Sequence, residues 1–213
     1  VGPVDQIALV AQSDSWVVID KPAGVLSVPG KGPEKQACAA SWVREKFPHA
    51  TGPIIVHRLD MDTSGLLLLA LTPEAQRLLS RQFEDRLPQK AYTAVATGLF
   101  RDDAGTIDAP IRLDIERRPY HIVDPTFGRS AQTHYRVLSR DPHANTTRLE
   151  LTPITGRTHQ LRVHCLHLGH PLVGDPLYGT RQDNQRLLLH AHWLCFNDPT
   201  TGERIEVHSP VPF

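Results

Sequence analysis

The chain has 213 residues, of which 40% are hydrophobic, and its 23 basic side chains are balanced by 23 acidic ones. A domain of this length buries roughly 70% of its unfolded surface, so neither disulfides nor a structural metal are needed to hold a core. The balance excludes a uniformly basic, histone-like chain, and no stretch approaches the ~20 apolar residues of a membrane helix.

In chain order, residues 16–20 read as a buried strand, stopped by Lys21-Pro22-Ala23-Gly24. Residues 34–47 read as a helix, with Ala40, Val43 and Phe47 three and four apart. Ile54-Ile55-Val56 leads into His57-Arg58-Leu59-Asp60, and the apolar run from Leu66 to Leu71 has the length of a buried strand. Thr72-Pro73-Glu74 is a helix start: an N-capping hydroxyl, Pro in the first turn and an acid at the positive end. Ala75, Leu78, Leu79 and Phe83 continue it as one apolar stripe. Strands follow at 92–96, 132–138 and 147–151, then a helix at 159–168 closed by Gly169, then strands at 187–189 and 204–207. Many strands and few helices, without regular βαβ alternation, predict an α+β fold around a largely antiparallel sheet.

Eighteen of the 23 basic residues are Arg, whose planar fork suits phosphates and base edges. From 129 to 164, Arg129, Arg136, Arg140, Arg148, Arg157 and Arg162 face only Asp141 and Glu150, a basic patch hidden by the neutral total. Thr155-Gly156-Arg157 opens the second helix, and backbone N–H groups at such an entrance form an anion seat. Arg162 and Thr158, four apart, share a face of that helix. Cys38, Cys165 and Cys195, odd in number and without a CxxC pair, read as buried thiols in a reducing compartment.

The segment from His57 to Leu66 places two acids, a cation, hydroxyls and a Gly between apolar strands, a composition suited to a site at strand ends. Either Asp60 acts alone as nucleophile or charge stabiliser, or Asp60 and Asp62 form a D-x-D metal pair aided by histidines. A polar turn with Asp60 paired to Arg58 is the plain structural alternative. His159, His164, His167 and His170 with Cys165 lack any recognised zinc-ligand spacing.

His57-Arg58-Leu59-Asp60-x-x-Thr63-Ser64-Gly65 resembles the signature of the RluA-type pseudouridine synthases, in which the Asp is catalytic. Matching motifs follow in order: Lys21-Pro22-Ala23-Gly24 with Leu26-Ser27-Val28-Pro29-Gly30, Lys90-Ala91-Tyr92, Ala131 to Val137, Thr155 to His164, Gly169-His170-Pro171 and Leu188-Leu189-His190-Ala191. The resemblance implies a pseudouridine synthase fold, a largely antiparallel mixed sheet with flanking helices and a central RNA-binding cleft, as a single catalytic domain over 1–213. About 15 residues precede Trp16, too few for the S4 module of longer members, so the short RluA subgroup is expected, which modifies 23S rRNA and a tRNA anticodon loop.

The implied reaction breaks uridine N1–C1′ and joins C1′ to C5, with no cofactor and no metal. The implied roles are Asp60 as the carboxylate, with Arg157 close by favouring its ionised form, and Tyr92 stacking on uracil and assisting C5 proton removal. Arg58 would move toward the space left by the extruded nucleotide, Arg129 and Arg162 would contact RNA, and Leu188 would wall the base pocket. By resemblance, the partner is 23S rRNA, a tRNA stem-loop or both, away from membranes, and the enzyme a cytoplasmic monomer. The alternatives are a metal-dependent nuclease, which a chelator would stop, and an RNA-binding module, which would leave no pseudouridine.

Overall fold

Four consecutive leucines, Leu66 to Leu69, are all but inaccessible to solvent, and the strand that carries them anchors the first of two structural units. The computed structural model describes residues 3–179 and 186–213. The elements are β1 (Ala8–Gln12), β2 (Trp16–Lys21), α1 (Ala39–Lys46), β3 (Ser64–Ala70), α2 (Pro73–Glu84), β4 (Gln89–Thr97), β5 (Ala104–Asp108), β6 (Ile111–Leu113), β7 (His121–Val123), β8 (Gln132–Asp141), β9 (Thr146–Pro153), α3 (Gln160–His167), β10 (Leu189–Asn197) and β11 (Arg204–His208). No helix among the described residues is long and apolar enough to cross a membrane.

The first unit comprises the chain up to Lys90 together with Ala191–Pro212. Its strands run in the order β1-β2-β3-β10, with β11 paired to β10. The β1–β2, β2–β3 and β10–β11 pairings are antiparallel. Trp16, Val18, Leu66, Leu68 and Ala70 share a cluster with Ala75 and Leu79 of α2 and with Leu194, Phe196 and Val207. The alternate residues Val17, Ile19, Leu67 and Leu69 are equally buried, so this sheet is covered on both faces, as its uninterrupted apolar runs require. Trp16 closes the cluster by donating its indole N–H to Asp198 at 2.7 Å. Gly65 has φ +115, and a Cβ there would lie 2.4 Å from the Ala191 carbonyl oxygen, so only glycine allows β3 to pass the chain at Ala191.

The second unit comprises Ala91–His190 and Phe213. Here the order is β4-β9-β8-β5, antiparallel throughout, and β6 and β7 form a separate two-stranded ribbon. Thr147, Leu149 and Leu151 of β9 are buried in strict alternation. Helix α3 is buried continuously from Gln160 to Cys165 and packs Val163 against Ile111, Ala131 and Tyr178.

Most expected elements appear, with instructive differences. Helix α2 begins at the Thr72-Pro73 signal, and Thr72 Oγ1 accepts the Ala75 N–H at 3.2 Å. The helix expected over 34–47 is only α1, because Cys38 is extended (φ −155, ψ 174) and caps it through Ser41, while Pro33–Lys35 is a separate 3-10 turn. The late strand expected at 187–189 is instead β10. Its buried histidine at 190, half-buried His192 and half-buried Asn197 break the apolar pattern that would have marked it. Gly169 (φ +83) does follow α3, and the last turn closes through its N–H to Leu166 O at 2.8 Å.

Candidate active site

In the first unit the segment from His57 to Thr63 is irregular and leads directly into β3 at Ser64. The His57 ring stacks on Phe83 with centroids 4.5 Å apart, and its Nε2 accepts the Leu68 N–H at 3.0 Å. An Nε2 that accepts carries no proton, so the imidazole is neutral. Burial, helped by the charge of Lys90, pulls its pKa down to about 3. Arg58 is exposed, Leu59 buried, and Asp60 half-buried beside exposed Met61. Asp60 O accepts the Thr63 N–H at 3.2 Å, which makes the segment a tight turn.

Two buried residues, Lys21 at the end of β2 and Ser27 in the stretch after it, hold this turn. Ser27 Oγ donates to Leu59 O at 2.7 Å and accepts from Leu59 N at 3.1 Å. Lys21, fully buried, donates from Nζ to Pro22 O (3.1 Å), Val25 O (2.7 Å) and Met61 O (3.1 Å). Burial pulls the Lys21 pKa down to about 7, against the opposing charges of Asp62, Asp60 and Asp20. Asp60 and Asp62 thus share the field of an ammonium, and among the described residues no group of three or more His, Cys, Asp or Glu gathers that could hold a metal ion. Neither Lys21 nor Ser27 stood out by composition. The signal was a lysine at the end of an apolar strand, a place where a charge survives only with partners.

In the second unit Tyr92 lies on β4 opposite Leu151 and is 7% exposed. Leu188 is half-buried and runs alongside the same strand: its carbonyl accepts the Val95 N–H at 3.1 Å, and its own N–H donates to Val173 O at 2.9 Å. Arg129 is exposed and fixed through its backbone to Ile111, each N–H donating to the other's carbonyl at 2.9 Å. Arg157 is half-buried and donates Nε to Ser130 O at 3.0 Å.

Three expectations need correction. Arg162, expected as an RNA contact, is 1% exposed and bound in two hydrogen bonds to Asp175, so its guanidinium is spent inside the protein. The anion seat before α3 is filled by the protein itself: Gln160 Oε1 accepts from Arg157 N at 3.0 Å and from Thr155 Oγ1 at 2.7 Å. The basic patch is also largely compensated. Arg136 pairs with Glu150 at 2.9 Å, Arg140 with Asp103 at 2.7 Å, and Arg148 donates to Phe213 O at 2.7 Å. A count along the chain missed Asp103 and Asp175 because they come from outside the segment. Among the described residues only Arg129 and Arg157 of that set pair with no carboxylate and spend no guanidinium bond on Phe213. His164 is no candidate ligand either, since Nδ1 meets Thr133 Oγ1 and Nε2 meets Ala109 O, both at 2.9 Å.

The sequence profile of the RNA pseudouridylate synthases matches residues 15–167, and the chain belongs to that family. It is an isomerase whose substrate is RNA, and this disfavours both the nuclease and the passive RNA-binding module. The chain is similar to the dual-specificity RNA pseudouridine synthase RluA of Pasteurella multocida, 46% identical over 208 residues, covering 96% of this chain and 93% of that protein. It is likewise similar to the protein of the same name from Escherichia coli strain K12, 41% identical over 210 residues, covering 97% and 94%. The solved structure of human RNA pseudouridylate synthase domain containing 1 matches with a TM-score of 0.83 at 34% identity, covering 100% of this chain and 86% of that one. The expected pseudouridine synthase fold is therefore the fold observed.

Proposed function

We propose that this enzyme isomerises specific uridines in two RNAs, 23S rRNA and a tRNA anticodon stem-loop. The reading is carried by the 46% identity over 96% of the chain to a protein named for dual specificity. We also infer that it works as a cytoplasmic monomer, as one catalytic domain and without a cofactor.

The reaction rearranges one nucleotide. The N1–C1′ bond breaks, C1′–C5 forms, the C5 proton leaves and N1 gains one, so no oxidant, reductant or water is consumed. The target must first leave its stack, at a cost of a few kcal/mol. In this proposal Asp60 meets the positive charge that develops at C1′, as a carboxylate does in glycoside cleavage. Its half-buried position on a tight turn supports that role. Tyr92 presents its ring to the uracil and its phenol oxygen to the C5 proton. Leu188 contributes apolar wall beside the strand that carries Tyr92. Exposed Arg58 follows the extruded nucleotide, and Arg129 and Arg157, which pair with no acid among the described residues, contact phosphate, Arg157 with a further part in turnover.

The test is a pseudouridine map of total RNA from cells with and without this chain. One rRNA signal and one tRNA signal should vanish without it, return with the wild type and stay absent with Asp60→Asn. The Asn variant should bind RNA within severalfold of wild type, because affinity comes mainly from phosphate contacts. Normal turnover by Asp60→Asn would remove Asp60 from the mechanism, and loss of only one signal would remove the dual specificity.

A further inference from the structure

In the second unit the Phe213 ring meets two guanidinium groups. Arg148 Cζ lies over it at 5.4 Å from the ring centroid and Arg186 Cζ at 5.3 Å. Arg148 also donates Nη2 to Phe213 O at 2.7 Å. All three residues are half-buried. An aromatic face attracts a guanidinium, more strongly as water is withdrawn, so one ring here lets two like charges share a site. The two arginines come from different places. Arg148 lies on β9 opposite Val95 of β4. Arg186 begins the segment that runs to Leu188 along the other edge of β4. There Leu188 O accepts the Val95 N–H, Val173 O accepts the Leu188 N–H, and Val95 O accepts the Val173 N–H. The same segment presses on Gly174 (φ +73), where a Cβ would lie 1.9 Å from the Arg186 carbonyl oxygen.

We propose that Phe213 is a positioning residue whose ring brackets Arg148 and Arg186 and so holds the 186–188 segment, and with it Leu188, at its working place beside the uracil. The inference rests on the reading of Leu188 as a wall of the base pocket. The hydrogen bonds to Val95 and Val173 restrain the segment in the plane of the sheet. A ring tied to Arg148, which projects from one face, restrains it out of that plane. Val95 and Tyr92 are three apart on one regular strand, so their side chains take opposite faces. Arg148, the cross-strand partner of Val95, shares the face of Val95. The bracket therefore acts from the face turned away from Tyr92 and leaves the Tyr92 side to the nucleotide. A wall that keeps the freed base in register while it turns tolerates little movement, since a misplacement of about 1 Å can cost on the order of 100-fold in rate. An aliphatic side chain would fill similar space but attract neither cation, so the aromatic face and not the volume holds the segment.

The experiment is single-turnover kinetics on unmodified tRNA with the enzyme in saturating excess, so that the rate constant reports geometry and the amplitude reports the folded fraction. Phe213→Leu should lower the rate constant by about 10-fold, with RNA affinity within about threefold. Phe213→Tyr, which keeps the aromatic face, should stay within about twofold of wild type. Arg186→Met should fall as far as Phe213→Leu, and the double variant no further, because both remove one contact. If Phe213→Leu does not fold, Arg186→Met carries the test. Ile107→Ala, a core truncation in β5 of the same unit, should lower thermal stability and leave the rate constant unchanged. A wild-type rate constant for Phe213→Leu beside an impaired Leu188→Ala overturns the bracket and spares the role of Leu188. An equal fall for Ile107→Ala overturns it too, because general softening would then suffice, and so does an equal fall for Phe213→Tyr, because an aromatic face would then not be what holds. Lost RNA affinity with the rate constant intact makes the two arginines RNA contacts and overturns their bracket. Full activity of Leu188→Ala overturns the role of Leu188 itself and removes the purpose of the bracket.

Discussion

Arg162 and Asp175 form a bidentate ion pair in the interior of the second unit, with Nε–Oδ2 at 2.8 Å and Nη2–Oδ1 at 2.7 Å. The guanidinium also lies 5.1 Å over the Tyr178 ring, and Asp175 Oδ1 accepts the Leu177 and Tyr178 N–H groups. Burial alone would raise the Asp175 pKa, but hydrogen bonding to Arg162 and its charge prevail and hold it below the usual carboxylate range. Removing one partner leaves a buried charge uncompensated, so Arg162→Ala or Asp175→Ala should each cost about 3–5 kcal/mol. Urea unfolding checks this. A variant that keeps its stability but loses RNA affinity and salt dependence would instead return Arg162 to the RNA surface.

His57 makes acid sensitivity a specific expectation. The folded imidazole stays neutral down to about pH 3, while that of the unfolded chain protonates near 6.5, so the unfolded state takes up its proton first. This contribution is therefore full above pH 6.5 and lost progressively as pH falls toward 3. His57→Gln, which keeps an acceptor for the Leu68 N–H without a titrating group, should narrow the gap in urea midpoint between pH 7 and pH 5. An unchanged gap would place the sensitivity elsewhere.

At Gly65 two penalties coincide. A side chain would have to adopt φ +115, and its Cβ would sit 2.4–2.8 Å from backbone atoms of Ala191. Since the neighbour is backbone, it cannot turn aside. Gly65→Ala should therefore destabilise by about 2–4 kcal/mol, read as a fall in Tm, and a change of under a degree would contradict it.

Arg157→Lys keeps the charge and loses the fork. With Nε already committed to Ser130 O, the remaining guanidinium donors are held in one direction, and a flexible ammonium would not be. Turnover should fall more than RNA affinity. Weaker binding with unchanged kcat would make Arg157 a phosphate contact alone.

An isolated stem-loop of anticodon-arm size should serve as substrate. The deep, narrow major groove of A-form RNA hides its base edges, so recognition falls on an unstacked loop and on the phosphates of its stem. Two unrelated loops can then be accepted if both fold to one bound shape. Activity confined to intact tRNA or to ribosomal particles would refute this.

What could be read along the chain was local in origin. The Thr72-Pro73-Glu74 helix start, the Gly169 stop and the Leu66–Leu71 run depend on capping, φ and burial period, which neighbouring residues set among themselves. The ordered motifs around Asp60, Tyr92 and Thr155–His164 carried the family for the same reason, because each is a short contiguous segment. What only the tertiary structure decided concerns partners far apart in sequence. Arg162 read as an RNA contact until Asp175 was brought to it, the basic patch was largely compensated once Asp103 joined Glu150 as a partner, and β10 showed as a strand only between β3 and β11. Lys21 and Ser27 acquired their relation to Asp60 in the same way, across separations of up to 40 residues. Charge pairing and burial are properties of three-dimensional neighbourhoods, and a buried cation looks the same as an exposed one until the groups that compensate it are in place.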